Sequence, residues 1–91
     1  MLVSIHQNIF CNNSKAIDNL ITITKEEEYG SIPRVGENVC NYMWKDQVES
    51  KVVDVTFVSN QKCGILLEER IVDFSKEEVR ELAKLHRWTT T

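Results

Sequence analysis

Ile32-Pro33-Arg34-Val35-Gly36-Glu37-Asn38-Val39 reads as a bend that leads into a β-strand. Pro33 holds φ near about −65° and has no backbone donor, which suits a strand's first residue or an edge. Gly36 accepts a positive φ or a bulge that other residues adopt only at a cost. The chain therefore turns a sheet corner here, and the residues up to Val58 follow as paired strands.

Downstream, Val39, Asn41 and Met43 alternate with Cys40, Tyr42 and Trp44, the period-two pattern of a strand. Lys45-Asp46-Gln47 reads as a turn. A strand resumes at Val48 or Lys51 and runs through Val58, with Val53, Val55 and Phe57 on one face. Ser59-Asn60-Gln61 is a second turn, and Cys63-Gly64-Ile65-Leu66-Leu67 a short apolar strand ending at Glu68-Glu69-Arg70. Upstream, Val3, Ile5, Gln7 and Ile9 share one face of a strand over residues 2–10. Asn12-Asn13-Ser14 is a turn, residues 15–19 suit a helical turn, and Leu20 to Thr24 form another strand. Lys25 to Tyr29 either extends that strand or forms a loop, closed by Gly30-Ser31. Five strands result, spaced as in a small meander or barrel.

The period changes near the C-terminus. Ser75 and Glu78 form a capping box, and Phe74 and Val79 occupy the positions of a hydrophobic staple. Val79, Leu82, Ala83, Leu85 and His86 make one amphipathic face, so a helix is predicted from Ser75 to about Trp88. Val79, Leu82 and Leu85 are expected to pack against Val53, Val55, Phe57 and Ile65. The tail Thr89-Thr90-Thr91 is expected to fray.

Ninety-one residues make one domain, β-rich over residues 1–72 with the helix over about 75–88. The 42% hydrophobic and 27% charged fractions favour a globular chain over a disordered or membrane one. The net charge of −3 disfavours a dedicated nucleic-acid binder. Residues 25–50 carry three basic and six acidic side chains, centred on Glu26-Glu27-Glu28. No apolar run approaches the roughly 20 residues of a membrane span, and Met1-Leu2-Val3-Ser4-Ile5-His6 lacks the pattern of a cleaved signal. Three widely separated cysteines, Cys11, Cys40 and Cys63, do not make a disulfide framework. The expectation is a reduced, cytoplasmic chain with Cys40 and Cys63 buried and Cys11 more exposed.

Motifs for chemistry are sparse. His6, Cys11, Cys40, Cys63 and His86 have no metal-site spacing, so no metal, cofactor or catalytic residue is assigned and a non-enzymatic role is expected. His6 and Cys11, five residues apart, point to opposite faces of a strand. Gly30, Gly36 and Gly64 are isolated and form no phosphate loop. The basic ridge Lys76, Arg80, Lys84 and Arg87 is explained by intrahelical pairing with Glu77 and Glu81.

Surface recognition has more support. If Val39 and Met43 face the core, Tyr42 and Trp44 share the outward face close to Arg34, and these three are the candidate partner-binding residues. Reversed phase, with Trp44 in the core, is the other reading, and the pattern does not separate the two. Residues 32–67, with the Pro-x-x-Gly-Glu-x-Val opening, Val52-Val53-Asp54-Val55 and Gly64-Ile65-Leu66-Leu67, resemble a group of small, largely uncharacterised bacterial and phage proteins with an SH3-like barrel core. The resemblance implies fold and a phage or mobile-element origin, and assigns no residue a role. The Gly-Glu-x-Val pattern is also similar to the opening of KOW- and Tudor-like barrels, which bind nucleic acid or modified peptides.

The fold expected is β-rich α+β, a small bent antiparallel sheet or SH3-like partial barrel with one C-terminal helix. The function expected is an interaction module for a protein partner or for self-association through a strand edge, with a nucleic-acid-binding barrel as the alternative.

Overall fold

The computed structural model describes residues 1–45 and 47–91; Asp46, central to the turn expected over 45–47, lies outside the described residues. The elements are β1 (Leu2–Phe10), a 3-10 turn (Ile17–Asn19), β2 (Leu20–Glu28), β3 (Asn38–Cys40), β4 (Glu49–Ser59), β5 (Lys62–Leu67), β6 (Arg70–Ile71), α1 (Lys76–Leu85) and β7 (Thr89–Thr90).

β1 is the centre of the sheet. It pairs antiparallel with β2 along its whole length, from Leu2 opposite Glu28 to Phe10 opposite Leu20. Its other side pairs with β5 and then β6, both in parallel. The strand order is β3-β4-β5-β1-β2-β7, with β6 beside β1. Two departures from expectation follow: the sheet is mixed, and it is open. Thr89 and Thr90, expected to fray, close one side by pairing with Thr24 and Ile23 of β2.

One face of the sheet is the core. Val3, Ile5, Gln7 and Ile9 of β1 lie inside with Ile21, Ile23, Cys63, Ile65 and Leu67, as alternation demands. Val79, Ala83 and Trp88 pack on them together with Val39, Met43 and Trp44. The opposite face carries Ser4, His6, Asn8, Thr22 and Thr24, side chains that tolerate water.

β4 departs from simple alternation. Its register against β5 shifts between Val52 and Asp54 and again between Phe57 and Ser59. The first bulge inserts Val53, so Val52 and Val55 reach the same face although three residues apart. Val52 is fully buried, whereas Val53 is 45% exposed and Phe57, at the sheet's far end, 66% exposed. Neither of these two packs against the helix as expected.

The helix begins as expected. Ser75 Oγ accepts from Glu78 N–H at 3.2 Å, and Glu78 Oε1 accepts from Ser75 N–H at 3.2 Å. It ends three residues earlier than the periodicity suggests. Arg87 takes a positive φ of 64°, and Trp88 N–H donates to Ala83 O at 2.8 Å while Arg87 N–H donates to Lys84 O at 3.3 Å. That pair of bonds is a Schellman motif without its usual glycine. The turn drives Trp88 into the core and sends the chain into β7. α1 therefore contacts β2 and β7, with β1 and β5 lying between it and β4 in the sheet. Leu82 is half-buried and Leu85 is 78% exposed, so Leu85 is not a core residue.

Candidate functional site

Of the three residues nominated for partner binding, Trp44 is inside. The reason is local. Asn41 N–H donates to Val48 O at 2.6 Å, and Asn41 Oδ1 accepts from Met43 N–H at 3.0 Å. This Asx turn ends β3 at Cys40 and breaks the alternation. Met43 and Trp44 both turn inward and Tyr42 is left outside.

A buried glutamine receives the indole. Gln7 Oε1 accepts from Trp44 Nε1 at 3.2 Å and from Asn41 Nδ2 at 3.5 Å. Gln7 Nε2 donates to Glu68 O at 2.9 Å and to Ser50 Oγ at 3.2 Å. The Arg70 guanidinium lies 5.3 Å from the Trp44 ring centroid and donates to the carbonyls of Gln47 and Glu49. A hydrogen-bonded hub thus ties β1, β4, β6 and the stretch from Asn41 to Trp44 together. Gln7 follows the apolar alternation of β1, and that placement alone hinted at a buried amide.

Arg34 and Tyr42 are exposed. Arg34 N–H donates to Glu37 Oε1 at 2.6 Å, which closes the Pro33–Gly36 bend, and Gly36 has φ 92°. Gly36 N–H donates to Val52 O and Val52 N–H to Glu37 O, both at 2.8 Å, so the bend docks on β4. Beside it is a shallow groove of about 590 Å³ lined by Pro33, Arg34, Val35, Val55 and Phe57.

That groove borders an open strand edge. β3 covers β4 only over Glu49–Lys51, and the bend covers Val52. Among the described residues, nothing pairs with the backbone of residues 53–59 on the side away from β5. Val35, Phe57 and Val58 are each more than 60% exposed along it. The other side of the sheet is handled differently. β7 covers Ile23 and Thr24, and beyond it β2 bears Lys25 and Glu26-Glu27-Glu28, engaged in ion pairs with Lys62, Met1 and one another.

Chemistry-bearing side chains fall elsewhere. On the open face, Ser4 Oγ is 3.0 Å from His6 Nε2 and Thr24 Oγ1 is 3.2 Å from His6 Nδ1. This chain has the order of nucleophile, base and orienter, and the sequence reading, which weighed only Cys11 with His6, missed it at i, i+2. β1 amides are engaged by strands on both sides, which leaves no donor pair there to hold an oxyanion. The trio satisfies polar groups. Two of the three cysteine expectations are reversed: Cys63 is buried as expected, but Cys11 is buried and Cys40 is exposed. Burial pushes the Cys11 thiol up, partly offset by Lys76 and Arg80. Burial also raises the Tyr29 phenol, helped by the charge and hydrogen bond of Glu27. Among the described residues no three His, Cys, Asp or Glu side chains gather as a metal site, and no helix is long and apolar enough to cross a membrane. No protein-family model matches the chain, and no curated protein or solved structure matches it either.

Proposed function

We propose that this protein is a non-enzymatic interaction module that takes an extended segment of a protein partner onto the free edge of β4. One observation carries the reading: the two sides of the sheet are protected unequally. Charged side chains on an edge prevent unwanted pairing. β2 has them. On β4, Val53 to Val58 includes one charge, Asp54, and has the β-branched and aromatic content that pairs readily. An added strand gains main-chain hydrogen bonds there, and Arg34, Val35 and Phe57 supply the side-chain contacts that choose the partner. The kinship of residues 32–67 with small SH3-like bacterial and phage proteins, and a cytoplasmic setting, belong to the same proposal. No observation favours the nucleic-acid alternative, whose stacking residue, Trp44, is buried.

The test is site-specific photocrosslinking in the native host. A benzophenone amino acid at Phe57 is expected to trap a discrete partner, and one at Glu26 is not. Phe57→Lys, with an unchanged circular dichroism spectrum, is expected to abolish co-purification of that partner. Equal crosslinking from both positions, or a partner retained by Phe57→Lys, refutes the edge. Sedimentation from micromolar to near-millimolar protein separates a foreign partner from self-pairing.

A further inference from the structure

A second surface lies away from the β4 edge. Between α1 and residues 43–45 runs a groove of about 720 Å³ with a floor of Met43, Trp44, Phe74 and Leu82. Glu77, Glu78 and Glu81 line its helix side, opposite the single base Lys45. Phe74 is 39% exposed there, and Leu82 is half-buried. The same Trp44 and Phe74 also border an adjoining cleft of about 670 Å³ that adds Glu68, Glu69 and Asp73.

In the adjoining cleft Glu69 is paired with Lys15 at 2.6 Å. With 3.6 residues per turn, Glu78 and Leu82 fall on one flank of the buried Val79–Ala83 stripe and Lys76 and Arg80 on the other, with Glu77, Glu81 and Lys84 on the outward face between them. The charges of Lys76 and Arg80 act on the Cys11 thiol. Among the described residues no salt bridge engages Glu77, Glu78 or Glu81. The intrahelical pairing expected from the sequence does not form among the described residues. In the adjoining cleft, Arg70 turns its guanidinium inward onto Ser50 and the carbonyls of Gln47 and Glu49.

We infer that this groove binds a basic peptide segment of another protein, with one apolar side chain seated on Met43, Trp44, Phe74 and Leu82 and flanking Lys or Arg side chains on Glu77 and Glu81. The volume lies within the roughly 300–1,000 Å³ of sites that seat a compact ligand. The apolar floor supplies burial, and the one-signed rim supplies orientation and selects against anionic partners. Glu78 already holds the capping box, so Glu77 and Glu81 are the carboxylates free to act.

The experiment uses the intact chain and fluorescein-labelled Lys-Arg-Leu-Trp-Arg-Lys, with Glu-Glu-Leu-Trp-Glu-Glu and single-stranded DNA as comparisons. Saturable anisotropy with the basic peptide alone is expected, weakened by added salt. Glu77→Lys with Glu81→Lys is expected to weaken it about tenfold or more, while Arg80→Glu on the far flank does not. Amide shift mapping on the unaltered protein is expected to place the peptide at Met43, Trp44 and Phe74. No saturation by millimolar peptide, equal binding of the acidic peptide, preference for DNA, indifference to the glutamates, or shifts confined to residues 53–58 would each overturn the inference. Phe57→Lys leaves the groove intact, so failure here is separable from failure of the β4 edge.

Discussion

Replacing Gln7 by leucine tests the hub that organises this fold. The side chains are close in volume, so the change removes polarity without opening a large cavity. Gln7 makes four hydrogen bonds from a fully buried position. Ser50 Oγ keeps Arg70 at 3.4 Å, and the Asn41 bond is already long at 3.5 Å. Trp44 Nε1 and the Glu68 carbonyl are the groups left wanting. At about 2 kcal/mol for the buried indole N–H and about 1 kcal/mol for the part-buried Glu68 carbonyl, the loss is about 3 kcal/mol. Leucine's greater apolar surface returns about 1 kcal/mol, leaving about 2 kcal/mol. That is a large share of the roughly 5–14 kcal/mol open to a chain of this length. Urea unfolding followed by circular dichroism reads it as a fall in midpoint at constant m. The control is Trp44→Phe, which removes the indole N–H: the double variant is expected to show coupling of about 1 kcal/mol or more. A loss below about 1 kcal/mol with no coupling refutes the hub's role.

Val79→Ala is expected to cost about 2 kcal/mol in urea unfolding, and Leu85→Ala less than about 0.5 kcal/mol; the reverse order would place the helix on the wrong face. Arg87→Gly is expected to raise stability by about 1 kcal/mol, since the left-handed conformation at φ 64° strains a residue with a Cβ; destabilisation would show that the arginine side chain matters more than its backbone. Burial holds the Cys11 thiol above its ordinary 9.0, so above about pH 9 the unfolded chain sheds a proton that the folded chain keeps, and stability falls as pH rises. Tyr29, raised above 10.0, acts in the same direction at higher pH, and Cys11→Ala is expected to flatten the first part of the decline in a pH series of unfolding midpoints.

What the sequence reveals depends on whether a residue's role is local. The Ser75–Glu78 box and the inward row Val3, Ile5, Gln7 and Ile9 are set by near neighbours and repeating period, and both are where the sequence places them. The bulge at Val53 is not local. It follows from the register β4 must keep with β5, and it exchanges the face on which Val52 and Val55 are counted. The parallel pairing of β1 with β5 joins residues some sixty positions apart, a relation that no window of sequence contains. Trp44 is intermediate: alternation allowed either face, and Gln7, a residue from another strand, decides it. Arg34 and Tyr42 were legible as surface because nothing distant claims them. The groove at α1 was hidden, since half its floor comes from Met43 and Trp44 and the other half from Phe74 and Leu82.

The two candidate surfaces have separate origins in the chain. β3 pairs antiparallel with β4, Asn38 opposite Lys51 and Cys40 opposite Glu49, so the residues that would cover 53–59 precede Asn38, and the Pro33–Gly36 bend takes them away from that edge. Gln7, by drawing Asn41 and Trp44 onto β1, sets Met43 and Trp44 beneath the flank of α1, where they become the floor of the acidic groove. A variant of Gln7 that still folds should therefore weaken binding at the groove and spare the β4 edge, as the Glu77→Lys, Glu81→Lys pair does, whereas Phe57→Lys should silence the edge alone. If a Gln7 variant keeps groove binding in full, Met43 and Trp44 are positioned by something else; if it loses edge binding, the separate origin of the two surfaces is wrong.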